Sequence, residues 1–414
     1  METSIPGWLD ATYLQNVLRN YEKDDSVEVT DIIVRPATAK GDHYGSVMYR
    51  VASQLSRVKD ERKINGQMSL IVKITLSIYD VDHPEIIIDG MPKPFVTELS
   101  LLHRVLPKMN EIVEEFYPDA TPMSPRCFHV QYENPSHAIL EDLATSGFRM
   151  ADRRSGLDLD HSLLAMRNLG RFHASSIALA DREPGVLSPY RKGVFHKDQW
   201  MVCELVTSGM KSLAIEAAKW PELSPRVAEK IDNVSEVMFR KACEVCEYDR
   251  DEFNVLNHGD LWVNNMMFRY DENDKPVDLT FLDFQVSHLG SPAEDIIHFF
   301  GTSISEDVRI HHTDLLLRDY HRSLVGTMKQ LKCTTESPSL EDLQGALKKR
   351  EICGAVVAMT MFPVVILEKG VEVDVSNTMV TDKIRNNPAF RGELYRKVMN
   401  RLLPIYDRDG LLDS

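Results

Sequence analysis

The stretch that decides the fold is His258–Phe268, HGDLWVNNMMF, followed after a polar turn by Thr280–Gln285, TFLDFQ. Met266–Tyr270 and Val277–Phe284 are two β-rich runs joined by DENDKP, the Asn, Asp and Pro chemistry of a tight connection. With the turn centred near Asn273–Asp274, antiparallel pairing sets Met266 opposite about Phe281 and Asn265 opposite about Leu282. Asp283 then lies within a residue of Asn265 at the open end of the hairpin, and Asp260 sits on the loop entering that end. Two oxygen ligands with a third carboxylate nearby suit a hard cation such as Mg2+, and so a metal and phosphate site. Taken alone, each of these residues reads first as a turn residue. The ordered run is more specific: HGD, an Asn five residues after its Asp, a hairpin, then Asp-Phe.

Outward from this core the chain divides. Up to about residue 140 the strand signals Thr30–Val34, Ser46–Leu55, Ser69–Leu76 and Ala138–Leu140 dominate, broken by one helix over about Phe95–Val105 that follows Pro92 and Pro94. In SLIVKITL, Lys73 shares a face with Ile71 and Thr75 while Leu70, Val72, Ile74 and Leu76 face the other way. A lysine in such company is an edge-strand gatekeeper or has a carboxylate partner. From about residue 158 helical periodicity takes over, in Leu159–Ala180, Glu222–Glu247, His311–Leu331 and Leu340–Leu367. The expected architecture is α+β, with a small, mostly β lobe over residues 1–142 and a larger, mostly α lobe over 143–414. A small molecule belongs in the cleft between them.

The length of 414 residues is enough for two units with large cores. A formal net charge of −15 disfavours nucleic acid and anionic membrane surfaces. The short clusters at Arg57–Lys63 and Lys348–Arg350 read as solvated faces. METSIPGWLD has no basic start or apolar stretch, and the longest apolar run, Ile352–Leu367, is shorter than the roughly 20 residues of a membrane span and contains Pro363, so it reads as a buried helix. Six cysteines without an export signal point to reduced thiols and a cytoplasmic location. The lone pair Cys243/Cys246 reads as structural and not as a zinc site. There is no GxxxxGK[ST] phosphate-binding loop.

The pattern HGDxWxxN…DFQ resembles the ecdysteroid kinase-like family of insects, within the choline kinase and aminoglycoside phosphotransferase group and its protein-kinase-like two-lobe fold. AKGDHYGSVMYRV, FVTELSLLHRVLP, ILEDL, LGRFHASS and GSPAEDIIHFF follow in the expected order. The resemblance implies a small-molecule kinase. Asp260 would be the catalytic base, His258 a brace for its loop, and Asn265 and Asp283 the Mg2+ ligands. Lys73 would hold the ATP phosphates, oriented by Glu98. Gly41, Gly45 and Ser46 would cover the phosphates, although no GxGxxG is present, and Glu141 and Leu143 would meet the adenine. Asp295 would support the catalytic loop, with a helix N-cap as the competing reading, and His173 is a hydrogen-bonded core histidine. Tyr190, Phe195, Trp200 and Tyr320 are candidates to pack against a flat apolar acceptor, or are ordinary core. The implied acceptor is a hydroxyl of an ecdysteroid or related sterol, or of a foreign alcohol in detoxification. The alternatives are a choline or aminoglycoside kinase and a catalytically silent nucleotide-binding relative. No obligate protein partner is implied.

Overall fold

The computed structural model describes residues 5–37, 46–75, 94–367 and 387–413. Gly41 and Gly45 lie outside the described residues. The chain starts with helix α1 (Ala11–Glu22), capped by Asp10, whose carboxylate accepts the Tyr13 N–H at 2.7 Å. Strands β1 (Glu28–Pro36), β2 (Ser46–Lys59) and β3 (Arg62–Thr75) then run as an antiparallel meander. Strands β4 (Cys127–Gln131) and β5 (His137–Glu141) complete a sheet in the order β1-β2-β3-β5-β4. The alternation read from SLIVKITL is observed over Leu70–Ile74, and Leu76 lies outside the described residues. Leu70 and Val72 pack with Leu14, Val17 and Leu18 of α1, and burying each leucine contributes about 1.5–3 kcal/mol. Ile71, on the opposite face with Lys73, joins the core built around Leu99 and Leu102.

Between β3 and β4 the expected helix over 95–105 is longer than its periodicity suggested. Helix α2 (Pro94–Ser100) passes through a π-helical turn (Leu101–Val105) into α3 (Leu106–Glu114). Pro107 has no N–H to give an α-helical interior, and it sits here in the first turn of α3, where no donor is needed.

After a short strand β6 (Arg149–Met150) the fold becomes mostly helical: α4 (Leu159–Arg182), α5 (Trp200–Ala217) and α6 (Pro225–Val245). Strand β7 (Val255–Asn257) precedes the decisive stretch, and β8 (Met266–Tyr270) and β9 (Pro276–Phe281) form the hairpin, with β6 added beside β8. Strand β10 (His288–Gly290) pairs back onto β7. Helices α7 (Ala293–Thr302), α8 (Glu306–His311) and α9 (Thr313–Gln330) follow.

The region 340–367, expected as one helix, is divided into α10 (Leu340–Lys349), α11 (Glu351–Val356), a second π-helical turn (Val357–Met361) and α12 (Phe362–Val365). Pro363 again restarts a helix after a π turn. The final helix is α13 (Glu393–Arg408). Arg350, at the α10/α11 break, corrects the expectation of a solvated basic cluster: it is 2% exposed and paired with Glu252. No described helix is long and apolar enough to cross a membrane.

Candidate active site

The hairpin register is the expected one, with Met266 opposite Phe281, and the Leu282 N–H donates to the Asn265 carbonyl at 2.9 Å. The loop before it is tightly built. Gly259 has φ +86°, and a Cβ there would lie 2.2 Å from the Val286 carbonyl oxygen, so glycine is required at this position. Asp295 accepts the His258 N–H at 2.7 Å and the Gly259 N–H at 2.8 Å, one on each oxygen. It therefore supports the loop; the N-cap position of α7 belongs to Pro292. Burial alone would raise the Asp295 carboxyl, but hydrogen bonds from His173 and Gly259 hold it below the ordinary aspartate value.

Partner chemistry fixes the histidine tautomers. His258 Nε2 lies 2.8 Å from the Leu282 carbonyl, which can only accept, and its Nδ1 takes the Asp260 N–H at 3.3 Å, so Nε2 carries the proton. His173 donates from Nε2 to Asp295 at 3.0 Å and accepts from the Tyr320 hydroxyl at Nδ1 at 2.7 Å. It is the buried core histidine that its sequence context suggested. Tyr320, fully buried in this chain of hydrogen bonds, has no surface for an acceptor and is the ordinary core residue of its two readings.

Asp260, Asn265, Asp283 and Lys73 converge at the hairpin mouth. The Asn265 amide nitrogen donates to the Asp260 backbone carbonyl at 2.8 Å and to Asp260 Oδ2 at 3.0 Å. That use of the nitrogen turns the amide oxygen away from Asp260. Asp283 is held at φ +64°, a left-handed conformation uncommon for a residue with a side chain. Its Oδ1 accepts from Lys73 Nζ at 2.9 Å. An Asn oxygen and a partly exposed carboxylate are the hard donors a divalent cation with several waters or phosphate oxygens takes.

Lys73 also donates to both oxygens of Glu98, at 2.8 and 2.7 Å. Lys73 and Glu98 are 6% and 2% exposed, which excludes the edge-gatekeeper reading. Burial by itself would lower the Lys73 pKa, but the charges of Glu98 and Asp283 outweigh it and raise the value. Burial first, with the nearby Asp283 charge, pushes Glu98 up to about 7 against the opposing pull of Lys73. Helix α2 is anchored across to the helical region by Ser100, whose hydroxyl lies 2.7 Å from that of Tyr190.

At the end of β5, Glu141 and Leu143 flank Asp142, which is turned up into the sheet. Asp142 accepts from Arg50 Nε and from the Ser69 hydroxyl, each at 2.7 Å. Glu141 lines a cavity of about 440 Å3 with Asp31, Gln54, Gln67, Ser69 and Arg126. Ser46 opens β2, two residues before Met48, which pairs with Lys73.

Two contacts were not anticipated from the sequence. The Asp142 clamp rests on partners 92 and 73 residues away, with no local signal. His298 Nε2 lies 3.4 Å from Asp260 Oδ1; its spacing of three from Asp295 in EDIIH, which puts both on one helix face, is the signal that could have found it. Burial alone would raise the Asp260 carboxyl, and His298, His258 and Asn265 together hold it below the ordinary value.

A five-stranded sheet with a buried lysine–glutamate pair, set against a helical region whose hairpin brings Asp283 to that lysine and Asn265 to Asp260, is a protein-kinase-like two-lobe fold. The chain belongs to the ecdysteroid kinase-like family, whose model matches residues 40–333. That family is one of small-molecule, kinase-like phosphotransferases. Similar solved structures include the ADP-bound aminoglycoside phosphotransferase APH(2'')-Ib, at 15% identity over 83% of this chain and 99% of that one, with a TM-score of 0.34. Another is the ternary complex of APH(2'')-IIa with streptomycin and ATP, at 13% identity over 94% of this chain and 99% of that one, with a TM-score of 0.37. No curated protein matches the chain.

Proposed function

We propose that this protein is an ATP- and Mg2+-dependent phosphotransferase that moves the γ-phosphate to a hydroxyl of a small molecule, an ecdysteroid or related sterol or a foreign alcohol. The observation that carries this reading is the Lys73 ammonium, shared between Glu98 and Asp283 at the mouth that also holds Asp260 and Asn265. In this reading lobe 1–142 covers the nucleotide and lobe 143–414 holds the acceptor. Lys73 binds the α- and β-phosphates, Glu98 keeps its ammonium in place, and Glu141 and Leu143 offer backbone groups to the adenine. Gly41, Gly45 and Ser46 cover the phosphates.

Asp260 orients the acceptor hydroxyl and receives its proton as the oxygen attacks phosphorus and ADP leaves, a role worth roughly 10²- to 10⁴-fold. His258 supports this by fixing the loop backbone. Asn265 and Asp283 would hold Mg2+, which supplies positive charge against the phosphate oxygens. The local cations also offset a chain of net charge −15 around an anionic nucleotide.

The test is incubation with labelled ATP and Mg2+ against a panel of ecdysteroids, sterol glycosides, plant alcohols, choline and aminoglycosides, followed by mass spectrometry for a product one phosphate heavier. Phosphorylation of a sterol or foreign alcohol is expected. Transfer confined to choline or an aminoglycoside would replace the acceptor class, and tight MgATP binding with no transfer to any acceptor would make this a silent relative.

A further inference from the structure

The catalytic loop is gripped by α7 at two points. Asp295 holds the His258 and Gly259 backbone. One turn later on the same helix, His298 faces the Asp260 side chain, with Nε2 at 3.4 Å from Oδ1. The two Asp260 oxygens are thus met from opposite sides, Oδ2 by the Asn265 amide at 3.0 Å and Oδ1 by the imidazole. His298 is buried while the Asp260 side chain keeps part of its surface open, so the ring comes from the protein side and leaves the carboxylate accessible. A carboxylate has about four lone-pair sites, and two remain for an acceptor hydroxyl.

We propose that His298 is a positioning residue for phosphoryl transfer: its Nε2–H holds Asp260 Oδ1 so that the carboxylate, fixed at both oxygens, presents its free lone pairs to the incoming hydroxyl. The inference rests on the proposed function, in which Asp260 is the base. A distance of 3.4 Å is long for a finished hydrogen bond, and contacts of this kind commonly shorten when the reactants are bound.

The test compares wild type, His298→Phe, which keeps the ring volume without the donor, and His298→Gln, which restores an N–H. Each is assayed with MgATP and the acceptor that wild type phosphorylates best, alongside melting temperature. For His298→Phe, kcat falls about 10- to 100-fold while the KM for ATP stays within about twofold and melting is unchanged. His298→Gln recovers to within about threefold of wild type. In an Asp260→Asn background His298→Phe costs nothing further, because the two residues act as a unit. Wild-type kcat in His298→Phe overturns the proposal, as do equal losses in the Phe and Gln variants. Failure of both to fold also overturns it, assigning His298 to packing. A wild type with no turnover on any acceptor overturns both this inference and the function beneath it, whereas an active wild type with an unaffected His298→Phe overturns this inference alone.

Discussion

At the scale of single residues, Lys73 carries the most consequence. Its ammonium sits between two carboxylates in a site nearly closed to water. Lys73→Met leaves Glu98 buried without its counter-charge, a loss of about 3–5 kcal/mol by analogy with other broken buried pairs. Thermal melting should show a large drop for Lys73→Met, and adding Glu98→Gln should recover most of the stability without recovering nucleotide binding. If the double variant melts no higher than the single one, the lysine stabilises the fold in some other way.

His288 gives a pH test. Its ring lies between two acceptors, the Val286 carbonyl at 3.1 Å and Glu294 at 2.9 Å, so donation to both requires the imidazolium. Burial opposes that charge, but Glu294 outweighs it and the His288 pKa is raised from 6.5. With the folded value above the unfolded one, this stabilisation is fully present below pH 6.5 and is lost as pH rises through the raised value. Melting temperature followed from pH 6 upward should fall over that window in wild type and much less in Glu294→Gln; parallel curves would contradict the assignment.

At the scale of elements, two breaks at proline follow one design: a π-helical turn precedes Pro107 and Pro363, and each proline then sits where a helix begins. The apolar periodicity around both sites was legible and the break was not, because a π turn shifts the face without changing which residues are apolar. The hairpin and its pairing of Met266 with about Phe281 were legible from the turn position, but the register shift between Arg269 and Tyr270 and the end of the second strand at Phe281, three residues short of the expected Phe284, were not. Lys73 with Glu98 could be suspected, but the third partner, Asp283, is 210 residues from Lys73 and only the assembled fold brings it there. Of the two readings open for Tyr320 the structure selects core; the sequence could not decide, because an aromatic on an amphipathic helix looks the same whether its hydroxyl meets solvent or a buried histidine such as His173. The loop before the hairpin yields an element-scale prediction. Gly259→Ala must push against the Val286 carbonyl, so β7 and β10 part and the variant should melt well below wild type; an unchanged melting temperature would mean that the loop is not constrained as described.

At the scale of the whole molecule, helices α2 and α3 tie the sheet to the helical region. Besides Ser100 with Tyr190, Lys108 pairs with Glu183 and Arg182 with Glu115. These exposed ion pairs contribute little individually, of the order of 0–1 kcal/mol each, so the anchoring rests on the shared core of Leu102, Leu106 and Met109 with Phe172 and Ile177. On the proposed function, MgATP should stabilise the chain by simple mass action. At a hundredfold excess over Kd the gain is about 2.7 kcal/mol, readable as a rise in melting temperature that Asp283→Asn abolishes.

The most direct test is single-turnover transfer from MgATP to the best acceptor, comparing wild type with Asp260→Asn and measuring MgATP affinity for both. The account predicts equal affinities and a rate for Asp260→Asn lower by about 10²- to 10⁴-fold. A variant that transfers phosphate as fast as wild type would contradict the proposed chemistry.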